Sequence, residues 1–283
     1  MKKWIAAMLG LPVFGLHAQT PINSFDDIQY WVGSGQNRAA LVLQWNDGLK
    51  PVSVAWGYRW DGDATGIDML RAIAGSTVVT VPFTEEVLET GEGADSRLSL
   101  GLDQYGFGLS VLSLSYAPGE GALRTQSDWD AGYWEYLIRG GSFEYYDWEA
   151  NDTAFYDVAG SVSYSADGWT SAPIGAGDRG LIDGAWDAYS FAPGFATRAV
   201  EQPFAAALPV PAASCDMQHG SPRVSALSKT NFVYQMEYSN DPSGPWYPMG
   251  EGESGTGGVM VFVDETAELP PQRFYRIAVT QAP

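Results

Sequence analysis

Residues 30–74 read YWVGSGQNRAALVLQWNDGLKPVSVAWGYRWDGDATGIDMLRAIA, and this stretch carries the clearest structural signals of the chain. Residues 39–45 and 52–60 are rich in β-branched, aromatic and other apolar side chains, which is typical of strands. The tripeptide Asn46-Asp47-Gly48 between them has the residue types that a hairpin turn requires. The stretch therefore predicts two paired strands.

One helix is predicted directly after these strands. Thr65 followed three residues later by Asp68 fits a capping box, and the apolar residues that follow recur at helical spacing. Gly75 is a typical residue to end such a helix. We expect about ten helical residues here and a further strand before the hairpin, at residues 25–32.

The rest of the chain is predicted to be β. Residues 107–116 form a long apolar strand, which we expect to be central and covered on both faces. Residues 133–139 and 142–148 are separated by Gly140-Gly141 and are predicted to form a hairpin. The predicted fold class is mainly β: an antiparallel β-sandwich or curved sheet with one helix, plus a small C-terminal β-sandwich.

Four segments follow from the composition. Residues 1–18 combine two lysines, a short apolar run and a small-residue cleavage site, so we expect a signal peptide and an exported protein, periplasmic or at the cell exterior. Residues 19–200 form the predicted β-rich domain and residues 201–213, rich in alanine and proline, the predicted linker. Residues 214–283 form the predicted accessory domain.

The charge and the residue types missing from the chain exclude several function classes. The formal net charge is −19, so the surface repels nucleic acid and gives no electrostatic attraction to an anionic membrane. No segment is apolar enough for a spanning helix. Cys215 is the only cysteine, and His219 is the only histidine beyond the predicted signal peptide. A cysteine or histidine metal site and a Ser-His-Asp triad therefore lack their residues, and we expect no enzyme activity.

The tryptophans are the candidate binding residues, because indole rings either fill a core or offer flat surfaces to a ligand. Trp45 and Trp56 lie within predicted strands, where core packing is the better interpretation. Trp60, Trp148 and Trp186 flank turns and carboxylates, where a ligand can reach them. The predicted ligand-binding set is Trp60, Trp148, Trp186, Tyr58, Arg59, Asp61 and Asp187. For Arg59, an ion pair with Asp61 is the structural alternative.

The carboxylates leave two further interpretations open. Two runs offer several oxygens to a hard cation, so a structural Ca²⁺ is the one cofactor considered, and plain acidic turns are the alternative. Glu135 and Asp187 are the most suggestive acid pair for glycoside hydrolysis. The residues of the possible Ca²⁺ sites are Asp61, Asp63, Asp147, Glu149 and Asp152.

The motifs WND at residues 45–47, WGYRWDG at residues 56–62 and ATGxDML at residues 64–70 resemble a largely uncharacterised family of exported bacterial proteins. That resemblance implies a setting of corrinoid uptake, with an outer-membrane transporter as a partner. Residues 133–136 with Gly140-Gly141, and residues 181–186, are similar to strands of the small β-domain in cobalamin-carrier proteins. Corrinoid capture is thus the specific function that the resemblance implies.

The C-terminal segment resembles an accessory β-module of verrucomicrobial and planctomycete exported proteins. The matching residues are 234–239, Trp246, 255–258 and 273–277. In that setting the module has no activity of its own.

Together these observations predict an exported, non-catalytic protein that captures a small ligand, either a corrinoid or a glycan. A glycan hydrolase and a structural or adhesive surface protein are the alternatives.

Overall fold

A computed structural model describes most of the chain. The described residues are 20–84, 86–94, 96–118, 122–127, 129, 131–208, 211, 213–266, 270 and 272–282. The predicted signal peptide lies outside them. Strands account for 52% of the structure and helix for 4%, which confirms the predicted mainly-β class with one helix. No described helix is long and apolar enough to cross a membrane.

The chain divides into two compact units, Gln19–Ala207 and Leu208–Pro283. In the first unit a 3₁₀ helix spans Phe25–Asp27 and helix α1 spans Gly66–Ile73. The strands of the first unit are β1 (Trp31–Gly33), β2 (Asn37–Gln44), β3 (Ser53–Trp60), β4 (Ser76–Thr80), β5 (Val87–Glu92), β6 (Leu98–Tyr105), β7 (Gly108–Tyr116), β8 (Arg124–Ser127), β9 (Gly132–Arg139), β10 (Gly141–Asp147), β11 (Asp152–Val158), β12 (Thr170–Ser171), β13 (Ala185–Pro193) and β14 (Phe204–Ala205).

Two sheets form the core of the first unit. The larger has the order β1-β3-β2-β13-β9-β12, with β14 beside β3, and mixes parallel and antiparallel pairs. The smaller has the order β5-β4-β6-β7-β8. Trp45, Trp56 and Tyr116 pack between the two sheets, and the ring centre of Tyr116 lies 5.7 Å from that of Trp45 and 5.1 Å from that of Trp56. The indole N–H of Trp45 donates to the backbone oxygen of Leu114, which is on β7.

The second face of the larger sheet is covered by irregular segments. Ile22, Phe25 and Ile28 pack with Trp186 and Val200 over small residues of β2, β3 and β13. Both faces of the sheet are therefore buried, which explains why β13 is buried at eight of its nine residues. A half-exposed strand would show alternation instead.

The predicted capping box is confirmed. The Thr65 hydroxyl accepts the backbone N–H of Asp68, and the Asp68 carboxylate accepts the backbone N–H of Thr65. The helix ends at Ile73 with Ala74 as its cap, one residue before the predicted glycine. The predicted hairpin is also confirmed, because β2 and β3 pair antiparallel over eight residues.

Several predicted elements differ in the structure. Residues 25–32 contain the 3₁₀ helix before the short β1, because the Ser24 hydroxyl caps a helical turn. β7 is second from the edge of its sheet and only partly covered. β9 does not pair with β10, because β13 and β12 already occupy its two edges. The chain bends at Gly140-Gly141, both at positive φ, and β10 pairs with β11 instead.

The first part of the predicted linker belongs to the first unit. β14 pairs parallel with β3, and Ala206 is fully buried. The backbone N–H of Ala207 donates to the Tyr116 hydroxyl at 3.1 Å. A two-residue strand is too short to leave a periodic pattern, so the composition alone suggested a linker here.

The strands of the second unit are β15 (Ala213–Gln218), β16 (Ser221–Leu227), β17 (Phe232–Ser239), β18 (Tyr247–Pro248), β19 (Glu253–Ser254), β20 (Val259–Val263) and β21 (Phe274–Gln281). They form two sheets of three and four strands, with the orders β15-β16-β20 and β18-β17-β19, the latter extended by β21 beside β17. Asp264 is fully buried and accepts hydrogen bonds from Arg273 and Tyr275 at 2.7 Å.

Candidate functional site

Two of the three tryptophans predicted to bind a ligand lie in the interior. Trp186 is 0% exposed, packs against Phe25 and Tyr164, and donates its indole N–H to the backbone oxygen of Ser161. Trp60 is 5% exposed. A ligand cannot reach either ring in this structure, and both stabilise the core. The carboxylates next to Trp60 and Trp186 in the sequence suggested that these rings are exposed. Turns at the ends of buried strands also carry polar residues, so this signal does not distinguish a buried ring from an exposed one.

The predicted neighbours of Trp60 do not converge on one site. Tyr58 stacks on Trp60 with ring centres 5.5 Å apart, whereas Arg59 points to the opposite face of β3. The guanidinium of Arg59 lies 5.0 Å from the ring centre of Trp31 instead of pairing with Asp61. Asp61 accepts the backbone N–H of Gln36. These residues therefore have structural contacts, and the contact of Arg59 with Trp31 joins β3 to β1.

Asp187 belongs to a buried polar cluster. Its carboxylate accepts the Tyr136 hydroxyl at 2.5 Å and lies 3.4 Å from a guanidinium nitrogen of the fully buried Arg179. Arg179 also donates to the backbone oxygen of Gly140. Burial raises the pKa of Asp187, although Arg179 and Tyr136 oppose that shift. Burial and the nearby Asp187 also raise the pKa of Tyr136 well above its ordinary value.

The acid pair considered for glycoside hydrolysis is not brought together. Asp187 pairs with Ile138 of β9, so these two side chains lie on the same face of the sheet. Glu135 is three positions before Ile138 on the same strand, and its carboxyl group therefore lies on the opposite face. Glu135 is half-buried, and burial raises its pKa. In a glycoside hydrolase the two carboxyl groups flank the same glycosidic bond of the substrate. Glu135 and Asp187 cannot do so from opposite faces of a sheet.

The possible Ca²⁺ residues lie at two turns: Asp61 and Asp63 follow β3, and the other three lie at the turn between β10 and β11. Asp147 caps its own turn by accepting the backbone N–H groups of Glu149 and Ala150, and Asp152 accepts that of Thr153. Among the described residues no three or more acidic, cysteine or histidine side chains are grouped so that they could hold a metal ion. The Ca²⁺ site stays a prediction from the sequence.

A shallow depression of about 360 Å³ lies at the N-terminus of helix α1. It is lined by Asp63, Ala64, Thr65, Asp68, Gly180 and Leu181. No aromatic ring contributes to it, so it offers no flat surface for stacking.

Three aromatic rings come together at one end of the larger sheet, and one of them, Tyr133, is half-buried. Trp129, Tyr133 and Phe195 have ring centres 6.3 to 6.4 Å apart in all three pairs, and their planes are within 32° of parallel. Three centres at nearly equal distances form a triangle, so the three rings cannot all stack in one column. Trp129 is 62% and Phe195 54% exposed. We call these three residues the aromatic platform.

The backbone holds two of these rings in an unfavourable conformation. Trp129 has φ of 70° and Phe195 has φ of 63°, values that bulky residues rarely adopt. Such a conformation costs on the order of 1–3 kcal/mol and persists only where surrounding contacts enforce it. The enforcing contacts are hydrogen bonds from the backbone N–H of Trp129 to the oxygen of Gly132 and from that of Gly194 to the oxygen of Ala131.

Sequence reasoning missed the aromatic platform. Trp129 and Phe195 are 66 positions apart in the chain and meet because Gly132 is opposite Pro193 in the β9–β13 pair. The available signals were Asp128 and Asp130 on either side of Trp129, and Pro193-Gly194 before Phe195, which are typical of turns. Of the predicted tryptophans only Trp148, 85% exposed, is accessible, and it lies on the turn between β10 and β11.

Protein-family models, curated proteins and solved structures were each compared with this chain, and none matches it. The function is therefore inferred from the geometry of the chain's own residues.

Proposed function

We propose that this protein is an exported, non-catalytic binding protein that holds uncharged carbohydrate chains on the aromatic platform. The single observation that supports this is the cluster of Trp129, Tyr133 and Phe195, three nearly parallel rings of which Trp129 and Phe195 are exposed and Tyr133 is half-buried. The apolar face of a sugar ring packs on such a surface, while its hydroxyl groups stay in water or find polar neighbours.

The fixed backbone favours binding. Trp129 and Phe195 are held at positive φ by hydrogen bonds, so the backbone that carries their rings is already ordered when a ligand arrives. Ordering a mobile side chain costs about 0.5–1.5 kcal/mol per residue. Each ring lies next to the other two, which limits its rotamers and reduces that cost. A bulky residue kept in a strained conformation while its side chain faces water is typical of functional sites.

The charge of the protein selects among carbohydrates. At a net charge of −19 the surface repels polysaccharides that carry carboxylate or sulfate groups. We therefore expect neutral chains to bind better than anionic chains of the same length. This preference should weaken as salt is added, because salt screens the repulsion.

Corrinoid capture requires a different kind of binding site. A large macrocycle is held tightly only where a concave site covers most of its surface. The aromatic platform is open on one side, and the depression beside α1 has no aromatic lining. The corrinoid remains a prediction from the sequence resemblance and serves as the second ligand class in the experiment.

The experiment is a binding series on the full exported chain. Titration calorimetry with a neutral glucan, a neutral xylan, an anionic polygalacturonate and cyanocobalamin separates the ligand classes. We expect a neutral polysaccharide to bind and Trp129→Ala to weaken that binding about tenfold, which corresponds to about 1.4 kcal/mol. Phe195→Ala should have a smaller effect in the same direction.

Trp148→Ala is the matched control, because Trp148 is an exposed tryptophan outside the aromatic platform. It should leave carbohydrate binding unchanged. Equal losses in Trp129→Ala and Trp148→Ala, or binding of cyanocobalamin alone, would overturn the proposal. Circular dichroism of each variant checks that the fold is retained.

A further inference from the structure

The hairpin of β10 and β11 is a second surface that the proposed function does not use. The two strands pair over seven residues, from Gly141 opposite Val158 to Asp147 opposite Asp152. They form a two-stranded sheet of their own, and in the described part of the chain no third strand pairs with either. Both outer edges therefore carry backbone N–H and C=O groups without a strand partner, and such edges are templates for another extended chain.

The two faces of the hairpin differ. Phe143, Tyr145 and Tyr156 lie on one face and are partly or fully buried. Tyr146 and Phe155 lie on the other face, 43% and 60% exposed. Successive strand residues alternate between the faces, so burying one set leaves the other in water.

The exposed rings extend to the tip of the hairpin. Trp148 is 85% exposed and meets Tyr146 edge-on, with ring centres 4.7 Å apart and planes at 73°. Tyr146 is opposite Thr153, next to Phe155 on the partner strand. Because the tryptophan and tyrosine planes are nearly perpendicular, they do not form the flat surface that suits a sugar ring.

The charge of the hairpin selects its partner. Residues 141–158 contain five carboxylates and no lysine or arginine. Glu144 and Asp157 lie on the exposed face, beside the rings of Tyr146 and Phe155. This surface repels nucleic acids, anionic membranes and a second copy of the same acidic chain. It attracts lysine and arginine side chains, which pair with carboxylates and also lie favourably over aromatic rings.

We propose that this hairpin binds an extended polypeptide segment rich in lysine or arginine, which adds as a third strand to one of its edges. The backbone of the segment pairs with the strand edge, as in other cases of strand addition. Its cationic side chains reach Glu144 and Asp157, and their apolar stems cover the rings of Tyr146 and Phe155.

The first experiment uses the unaltered protein and three synthetic peptides. One alternates lysine and valine, the second is the same peptide with every backbone nitrogen methylated so that both edges of the extended chain are blocked, and the third alternates glutamate and valine. Fluorescence anisotropy gives the affinities at about 0.02 M and about 0.3 M salt. We expect the lysine peptide to bind at least about tenfold more tightly than the other two, and more weakly at high salt.

Methylation removes backbone donors and leaves the charge unchanged, so it separates strand addition from simple attraction between opposite charges. Equal binding of the methylated peptide would overturn strand addition. Failure of the lysine peptide to bind at low salt would overturn the whole proposal, as would equal binding of the glutamate peptide.

The second experiment locates the site with charge variants. Glu144→Gln combined with Asp157→Asn should weaken the lysine peptide about tenfold. Glu251→Gln combined with Glu253→Gln is the matched control, because it removes two exposed carboxylates from the second unit. Equal losses in the two double variants would mean that the peptide follows the overall charge, which would also overturn the proposal.

Discussion

Asp47 and Arg124 form a two-pronged ion pair that joins the two sheets of the first unit. Arg124 Nε lies 2.9 Å from Asp47 Oδ2, and Arg124 Nη2 lies 2.7 Å from Asp47 Oδ1. Arg124 is on β8 of the smaller sheet, and Asp47 is on the turn after β2 of the larger one. The guanidinium also donates to the backbone oxygen of Pro51 and lies 4.7 Å from the ring centre of Trp45.

We expect Arg124→Lys to lower the free energy of unfolding by about 2–4 kcal/mol. A lysine cannot keep both contacts to Asp47 and the hydrogen bond to Pro51, so buried acceptors lose their donors. Urea denaturation measures the change. Arg71→Lys is the control, because the Arg71–Glu89 pair is well exposed and should contribute about 1 kcal/mol or less. Equal effects of the two substitutions would contradict this account.

The same pair predicts how stability changes with pH. Burial works to raise the pKa of Asp47, but Arg124 and the backbone N–H of Leu49 outweigh it, and the pKa lies below its ordinary value. A lowered pKa means that the stabilisation is present above the ordinary value near about 4 and is lost as pH falls through the folded value. We therefore expect urea midpoints of the wild type to fall below about pH 4. In Asp47→Asn this fall should be smaller, and an unchanged pH profile would argue against the prediction.

Local signals in the sequence predicted the elements that depend on near neighbours. The Thr65–Asp68 capping box involves residues three positions apart and is present as expected. The Asn46–Gly48 signal correctly predicted that β2 pairs with β3, but residues 45–52 form a longer connection than a tight hairpin turn. The hairpin predicted at Gly140 failed for a non-local reason. Both edges of β9 are taken by β13 and β12, which come later in the chain.

The candidate site could not be predicted for the same reason. Trp186 and Trp129 both flank turns rich in aspartate, yet one is sealed in the core and the other faces water. The difference is set by what packs over each ring. Phe25 and Tyr164 cover Trp186, and both come from segments distant in sequence. Periodicity and turn signals carry no information about such contacts.

Arg179 and Asp187 should depend on each other for their contribution to stability. Both side chains are buried, so removing one leaves the other charge without its partner. We expect Asp187→Leu alone to cost about 3–5 kcal/mol, and Arg179→Met combined with Asp187→Leu to cost less than that. A double-mutant cycle by urea denaturation measures the coupling. Additive losses would show that the two side chains act independently.

Gly57 is a position where a methyl group has no room. A Cβ atom there would lie 2.3 Å from the ring of Trp31, which rests on β3 at that point. We expect Gly57→Ala to displace the ring and lower the free energy of unfolding by about 1–3 kcal/mol. Gly91→Ala is the control, since Gly91 is also in a strand and has no heavy atom within 4 Å of the added Cβ. A loss of stability no greater than that of the control would contradict the close contact.

Trp129→Gly tests whether the ring of Trp129 is needed for carbohydrate binding and not for the stability of the protein. At φ of 70° a glycine fits without strain, whereas the tryptophan is strained and its ring gains little from burial. We expect the free energy of unfolding to change by less than about 1 kcal/mol, because the relief of strain offsets the greater freedom of glycine in the unfolded chain. Binding of the neutral polysaccharide should fall about tenfold or more.

Phe83→Gly is the matched control for this prediction. Phe83 has φ of 61° and is 92% exposed, but it lies after β4 and outside the aromatic platform. The substitution relieves the same kind of backbone strain, so its stability should also change little, while carbohydrate binding stays at the wild-type level. If Trp129→Gly instead destabilises the protein by more than about 2 kcal/mol, the ring is needed for the fold, and the strained conformation is then explained by packing alone.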